Sequence, residues 1–220
     1  MRRVILYIAI SLDGYIADLN GGVSWLDSGA DAENTEDGYE AFLQKIDTVV
    51  MGYNTYRQVA EELSPGKWVY SGMMSYVLTH RKMDDLPEIR FVHQNVGRLL
   101  QRLKQQEGRD IWLCGGANVV GQCLEQDLID EFHITMIPIL LGRGIPLFCT
   151  LDRSIHLKLI SVKKNGNLLE CIYRRAGNGQ REESIRSELF CLRAVPIPER
   201  LHWRNKYWNG MAILTCPSTI

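Results

Sequence analysis

The chain has 220 residues, of which 45% are hydrophobic and 23% are charged, a composition typical of a soluble globular protein. Its formal net charge of −1 gives no support to nucleic-acid binding. The apolar run near the N-terminus is interrupted by Asp13 and is too short to cross a bilayer, so we predict a cytoplasmic protein without a membrane span.

The first half of the chain alternates short apolar runs with amphipathic segments. Short apolar runs predict strands buried on both faces, and apolar side chains at i, i+3, i+4 and i+7 predict helices. The predicted strands are 4–10, 49–51, 75–79, 89–93 and 110–114. The predicted helices have their apolar faces at 39–46, 56–63, 96–103 and 119–124, the second with a capping box of Thr55 and Gln58 and the third capped by Asn95.

The pattern changes to that of an antiparallel sheet in the second half. Residues 132–136 alternate apolar and polar side chains, and the segments 157–164 and 168–173 flank Asn165-Gly166, a typical hairpin turn. We therefore predict an α/β fold of three layers, α/β/α. Its mixed, mostly parallel sheet is expected to end in an antiparallel hairpin.

Composition divides the chain near residue 175. The stretch from Ala176 is polar and glycine-containing, like a linker, and the residues from there to Ile220 show no sustained periodicity. We predict one domain, 1–175, and a C-terminal extension of unassigned role, 176–220.

Two glycine turns connect a predicted strand to a predicted helix. Gly115-Gly116 follows the strand 110–114, and Gly52 follows the strand 49–51. Glycine lets the backbone approach a ligand closely, and the next helix offers unpaired N–H groups that suit a phosphate. The alternative is that both turns need glycine only for their backbone shape. The Lys and Ser/Thr of a P-loop and the G-x-G-x-x-G dinucleotide fingerprint are both absent.

Five blocks of residues stand in order along the chain, at 11–17, 51–56, 77–79, 114–118 and 130–148. Together they resemble the dihydrofolate-reductase-like superfamily. The resemblance is closest to the branch that holds the reductase domain of bacterial bifunctional deaminase/reductases of riboflavin synthesis. It covers residue 1 to about residue 175.

The resemblance implies NADPH as the hydride donor. The two glycine turns would hold its phosphates and adenosine, the loop after the third strand would recognise the 2′-phosphate through Arg81 or Lys82, and the nicotinamide would lie beside β-strand residues near the N-terminus. The alternative for Arg81 and Lys82 is a solvated basic pair. The implied cofactor residues are Ala9, Ile10, Gly52, Tyr53, Asn54, Thr55, Thr79, His80, Arg81, Gly115, Gly116, Ala117, Asn118 and Val119.

Asp13 is the predicted catalytic residue. It directly follows a buried strand, where ligands of open α/β sheets collect, and its carboxylate can bind a heterocycle amino group or help to deliver a proton. The alternative is a turn residue, because Asp-Gly is a common turn pair. Trp25, Asp27 and Tyr39 complete the predicted substrate site, with plain core packing as the alternative for Trp25.

One departure from dihydrofolate reductases follows Trp25. Those enzymes have a Trp, a short link that contains Pro, and then a helix carboxylate that meets the pterin. This chain lacks the Pro and offers Asp27, Asp31 or Glu33 instead, which disfavours folate reduction.

The prediction is therefore an NADPH-dependent reductase of a small nitrogen heterocycle, of the 5-amino-6-(5-phosphoribosylamino)uracil type, in riboflavin biosynthesis. The alternatives are a dihydrofolate or other pteridine reductase and a non-catalytic nucleotide-binding or assembly module. The cysteines form no C-x-x-C pair, so neither a metal nor a zinc deaminase half is predicted. A homodimer contact is expected at the apolar loop 139–148 and the hairpin.

Overall fold

One sheet of eight strands runs through the part of the chain that the computed structural model describes, residues 1–29 and 36–176. Two further short strands pair separately. The strands are β1 (Val4–Ser11), β2 (Tyr15–Ala17), β3 (Ile46–Gly52), β4 (Met74–Leu78), β5 (Ile89–Val92), β6 (Asp110–Gly115), β7 (Glu131–Ile137), β8 (Ile145–Pro146), β9 (Leu157–Asn165) and β10 (Leu168–Arg175). Met1–Arg175 form one compact unit, and the predicted extension lies outside the described residues from 177 onward.

The large sheet has the strand order β5-β4-β3-β6-β1-β7-β10-β9. Its strands run parallel from β5 to β7, whereas β10 is antiparallel to both β7 and β9. The predicted mixed, mostly parallel sheet that ends in an antiparallel hairpin is therefore confirmed. The pairing of β2 with β8 was not predicted, because strands this short leave no clear periodic signal.

Helices cover both faces of the large sheet. The helices are α1 (Glu36–Leu43), α2 (Tyr53–Arg57) with its π-helical continuation (Gln58–Leu63), α3 (Val96–Gln105), α4 (Ala117–Glu125) and a 3₁₀ helix (Ser24–Gly29). Apolar side chains of α3 and α4 pack with those on one face of the sheet, and Phe42 of α1 and Val59 pack with those on the other. None of these described helices is both long and apolar enough to cross a membrane.

The helices differ in how they begin. Asn95 caps α3 by accepting a hydrogen bond from the backbone N–H two residues later at 2.7 Å, as predicted. The predicted capping box of Thr55 and Gln58 is wrong, because α2 begins at Tyr53 and Gly52 is its N-cap residue. Thr55 therefore lies within the first turn of the helix.

Ion pairs hold the amino ends of the central strands together. The buried guanidinium of Arg2 pairs with Asp47, and the buried carboxylate of Glu131 accepts hydrogen bonds from His133 and Arg174, both at 2.7 Å. Burial alone would raise the pKa of Glu131, but the hydrogen bonds from His133 and Arg174 outweigh it and lower the pKa. His133 is thus a structural partner of Glu131.

Candidate functional site

The carboxyl ends of β4, β3, β6, β1 and β7 meet at one edge of the large sheet, because these neighbouring strands run parallel. Ligands of open α/β sheets bind at this edge. The loops that follow these strands contain the two glycine turns, the segment after β4 and the turn after β1. The fold therefore gathers predicted ligand residues that are distant in the sequence.

The two glycine turns are in contact. A Cβ added to Gly52, after β3, would lie 3.2 Å from Cγ2 of Val119. A Cβ added to Gly116, after β6, would lie 3.3 Å from the hydroxyl oxygen of Thr55. Both distances are tighter than ordinary van der Waals contact, so a side chain at either glycine would need its neighbour in the other turn to shift by a few tenths of an ångström.

Each turn leads into a helix without a side-chain cap. Gly52 and Gly116 are the N-cap residues of α2 and α4, both with extended backbone, and within the described ranges no side chain caps either helix. Gly115 has a φ of +124°, a conformation that other residues rarely adopt. The first backbone N–H groups of α2 and α4 are therefore free of side-chain acceptors, and the positive end of each helix dipole favours an anion there.

The segment after β4 brings a cation to the first of these turns. The Thr79 hydroxyl accepts a hydrogen bond from the backbone N–H of Arg81 at 3.0 Å, which fixes the bend. The Arg81 guanidinium lies over the ring of Tyr53, 4.5 Å from its centroid. His80 and Lys82 are exposed on the same segment.

A cavity of about 370 Å³ lies on the face of the sheet that α1 covers. Leu26 of the 3₁₀ helix and Tyr39 of α1 line it from outside the sheet. The strands β1, β7 and β10 line it with Tyr7, Ala9, Thr135, Ile137, Leu168 and Glu170. Its wall is mostly apolar, with hydroxyl groups and one carboxylate among the lining side chains.

Strand β1 contributes a residue beside one glycine turn from one of its faces and a residue of the cavity wall from the other. A Cβ added to Gly115 would lie 3.6 Å from Cδ1 of Ile8, and the next residue, Ala9, lines the cavity from the other face of the strand. Ile10 was predicted beside the cofactor together with Ala9. Its side chain is instead buried in the core that includes α3 and α4, so only its backbone is available to a ligand.

The predicted substrate residues lie in different environments. Tyr39 lines the cavity, and Trp25 is buried in an apolar cluster that also contains Ile137 and Leu168 of the cavity wall. Asp27 is exposed on the 3₁₀ helix and is not among the residues that line the cavity. Asp31 and Glu33 lie outside the described residues.

Asp13 links the turn after β1 to the loop after β7 through hydrogen bonds. Its carboxylate accepts hydrogen bonds from the Ser11 hydroxyl at 2.6 Å and from the backbone N–H groups of Gly142 and Leu141 at 2.7 and 3.2 Å. The hydrogen bond from Ser11 has the largest effect and lowers the pKa of Asp13, desolvation opposes it, and the hydrogen bonds from Gly142 and Leu141 lower the pKa further. These contacts fit the alternative of a turn residue, and the direct catalytic role stays a prediction.

The sequence patterns missed all three of the further polar residues in the cavity wall: Tyr7, Thr135 and Glu170. Tyr7 stacks on Phe42 with ring centroids 4.3 Å apart, and burial, followed by the charge of Glu170, raises its pKa to about 12. Thr135 and Glu170 are ordinary positions of predicted strands and belong to no motif. Alternation assigns such residues to a face of a strand, but it does not identify the neighbouring strand.

Comparison with known proteins finds one family whose model matches most of this chain. The family model of the RibD C-terminal domain matches residues 2–169. Uncharacterized protein YwjB of Bacillus subtilis (strain 168) is 40% identical over 176 residues, which are 80% of this chain and 99% of that protein. The crystal structure of a candidate riboflavin biosynthesis protein from Shewanella sp. PV-4 is 32% identical, with a TM-score of 0.70 over 80% of this chain and 99% of its own.

Two further solved structures are similar at 18% identity, which shows the fold alone. The diaminohydroxyphosphoribosylaminopyrimidine deaminase/5-amino-6-(5-phosphoribosylamino)uracil reductase from Thermotoga maritima has a TM-score of 0.61 over 80% of this chain and 57% of its own. Dihydrofolate reductase from Enterococcus faecalis, complexed with NADP(H), has a TM-score of 0.58 over 80% of this chain and 97% of its own. The predicted dihydrofolate-reductase-like fold is confirmed.

We expect Asp13→Asn to lower the free energy of unfolding at neutral pH and to have little effect in acid. The folded-state pKa of Asp13 is lowered, so its stabilisation is present above the unfolded-state pKa and is lost as pH falls through the folded-state pKa. Denaturant titrations of both proteins at neutral and acidic pH measure this difference. Asp84→Asn, at another exposed carboxylate, is the control. A difference between wild type and Asp13→Asn that is the same at every pH would contradict the expectation.

Proposed function

The chain belongs to the RibD C-terminal domain family, and on that basis we propose that it is an NADPH-dependent reductase of a small nitrogen heterocycle. The substrate class that we propose is a ribosylamino-pyrimidine phosphate of riboflavin biosynthesis, of the 5-amino-6-(5-phosphoribosylamino)uracil type. The observation that carries the proposal is the pair of uncapped glycine turns, one of which lies against β1, the strand that also lines a cavity of about 370 Å³. A cytoplasmic location and a small molecule, not nucleic acid or a membrane, as partner belong to the same proposal.

The residues at the strand edge fit a dinucleotide. Side chains at the two N-cap glycines would fill the narrow space between the turns, so only backbone is present where phosphates are proposed to bind. The N–H groups of 117–119, and those of 53–55 at the start of the longer helical segment, are the proposed donors. Arg81 is the proposed ligand of the 2′-phosphate, because a guanidinium offers several N–H donors in a planar fork. When bound, NADPH supplies the hydride.

The cavity supports the placement of the heterocycle. Ala9 presents only a methyl group to it, which leaves room for a flat ring against β1. Asp13 is proposed to affect turnover through the loop that it holds, since its oxygens already accept hydrogen bonds from Ser11, Leu141 and Gly142. Direct proton delivery by Asp13 would require the substrate to replace one of these donors.

The position of Asp27 bears on the second candidate, a dihydrofolate or other pteridine reductase. The fold is shared with a dihydrofolate reductase, but the Asp27 side chain is exposed and does not line the cavity. Asp27 is therefore not placed to bind a pterin, and the other carboxylates offered for that role, Asp31 and Glu33, lie outside the described residues. A non-catalytic nucleotide-binding module would keep the glycine turns, so a turnover test is needed to separate it from an enzyme.

We further propose that the protein forms a homodimer through β9. This strand is an edge of the large sheet, and every residue in it except Asn165 is exposed. Leu159 is 50% exposed, Ile160 43% and Val162 51%. Apolar side chains on an unpaired sheet edge favour association with another chain. The loop 139–148, which was predicted to share the contact, also has exposed apolar side chains.

Turnover is the direct test of the main proposal. We expect the purified protein to oxidise NADPH, followed by absorbance at about 340 nm, when a ribosylamino-pyrimidine phosphate is supplied. The panel includes diaminopyrimidine ribotides and dihydrofolate. Turnover with dihydrofolate alone would replace the proposed substrate class by a pteridine. Binding of NADPH without turnover of any substrate in the panel would favour the non-catalytic module.

Arg81→Ala tests the proposed 2′-phosphate contact. We expect it to weaken NADPH binding about tenfold or more and NADH binding little, because a hydrogen bond to a charged group contributes about 1.5–3 kcal/mol. Titration of both nucleotides against both proteins measures the preference. Arg102→Ala removes the same charge from the last turn of α3 and serves as the control. An equal loss of affinity for both nucleotides would reject the assignment of Arg81.

Val162→Asp tests the proposed dimer. We expect this variant to be a monomer, because a carboxylate in an apolar contact is costly unless it is paired. Size-exclusion chromatography with light scattering gives the mass of each species. Leu63→Asp, at an apolar side chain that is 57% exposed elsewhere, should leave the dimer intact. A monomeric wild type would remove the proposal.

A further inference from the structure

One carboxylate in the wall of the cavity has no hydrogen-bond or ion-pair partner among the described residues. Glu170 of β10 is half-buried, and within the described part of the chain it forms no hydrogen bond or ion pair. The contrast with Glu131 of the adjacent strand β7 is direct, because Glu131 is engaged by His133 and Arg174. An acidic group that faces a cavity without a protein donor is available to accept hydrogen bonds from a ligand.

Strand register places Glu170 in a row of residues that crosses four strands. Ala9 of β1 pairs with Thr135 of β7, Thr135 pairs with Glu170, and Glu170 pairs with Lys163 of β9. Residues that are paired in register point to the same face of a sheet. The row therefore sets a methyl group, a hydroxyl and a carboxylate side by side along the cavity, with an exposed ammonium group beyond them.

The neighbours of Glu170 leave space beside its carboxylate, which can accept hydrogen bonds from a molecule in the cavity. A Cβ added to Gly38 of α1 would lie 3.6 Å from Oε2 of Glu170, so the missing side chain at Gly38 leaves space beside the carboxylate. Tyr7, whose high pKa keeps it protonated at neutral pH, offers an O–H group. Glu170 is the acidic residue among the side chains that line the cavity in the described chain.

We propose that Glu170 recognises the heterocycle by accepting hydrogen bonds from a ring N–H and an adjacent amino group, with the Thr135 hydroxyl beside it. The two oxygens of a carboxylate match a planar edge with two parallel donors, such as N1–H and the 6-amino N–H of an aminouracil, or N1–H and the 2-amino group of a 2,4-diaminopyrimidine protonated on N1. Its charge also keeps a phosphate group away from this wall of the cavity. Glu170 thus takes the substrate-binding role that the sequence assigned to Asp27, and this assignment rests on the proposed function for the class of ligand.

Binding of 2,4-diaminopyrimidine to the full chain, without NADPH, tests the role of Glu170. We expect Glu170→Gln to reduce the affinity for this probe about tenfold or more, because the charged acceptor is lost while the size of the side chain is kept. NADPH affinity and the thermal midpoint should not change. Pyrimidine without amino groups should bind both proteins equally, and Glu107→Gln, at an exposed carboxylate outside the cavity, should bind the probe as wild type does.

The outcomes separate this assignment from the proposed reductase function. Equal affinity of wild type and Glu170→Gln for the probe would overturn the assignment, and so would a wild type that does not bind the probe. A lower thermal midpoint in both Glu170→Gln and Lys163→Met, with unchanged probe affinity, would make Glu170 a structural partner of Lys163 and also overturn it. Probe binding that depends on Glu170 in a protein that does not bind NADPH would support the assignment and reject the reductase.

Discussion

The contact between the two glycine turns is the constraint on which the functional edge depends. Because β3 and β6 are parallel neighbours, with Met51 in register with Gly115, the turns that follow them emerge side by side. Their N-cap glycines allow a closer approach to Thr55 and Val119 than a residue with a side chain would. A larger residue at either glycine would need its neighbour in the other turn to shift by a few tenths of an ångström. The geometry of this edge is therefore determined by the backbone.

Polar groups at the amino ends of the strands have partners within the protein, whereas some at the carboxyl ends do not have side-chain partners in the described residues. At the amino edge, buried charges such as Arg2 and Glu131 have partners within the protein, so they serve the stability of the fold. At the carboxyl edge, α4 begins at Gly116 without a side-chain cap, which costs about a few tenths of a kcal/mol relative to a capping side chain. The structural helix α3 avoids that cost through Asn95. Hydrogen-bonding groups that a fold leaves without partners are the groups that remain for a ligand.

The fold and the glycine turns were predictable because their signals are local. Apolar periodicity over a few residues is enough to place strands and helices, and the Asn95 cap needs only its own turn. The capping box failed at Thr55 because residue types do not show where a helix starts. Alternation along β1 puts Ala9 and Ile10 on opposite faces, so only one of the two can line the cavity. Glu170 could not be found, because its place beside Thr135 depends on pairing between strands that are distant in the sequence.

The location of Glu170 separates the proposed substrate contact from the proposed cofactor turns. Those turns follow β3 and β6, on one side of β1, whereas Glu170 belongs to the antiparallel hairpin on the other side. A change of side chain in the hairpin alters the chemistry of the cavity without touching the contact between the glycine turns. A shared fold is therefore compatible with different heterocycles, as its presence in both a uracil-type reductase and a dihydrofolate reductase illustrates. The substrate class is therefore best sought at the hairpin wall, where we propose that a carboxylate beside a hydroxyl selects a ring that carries N–H donors.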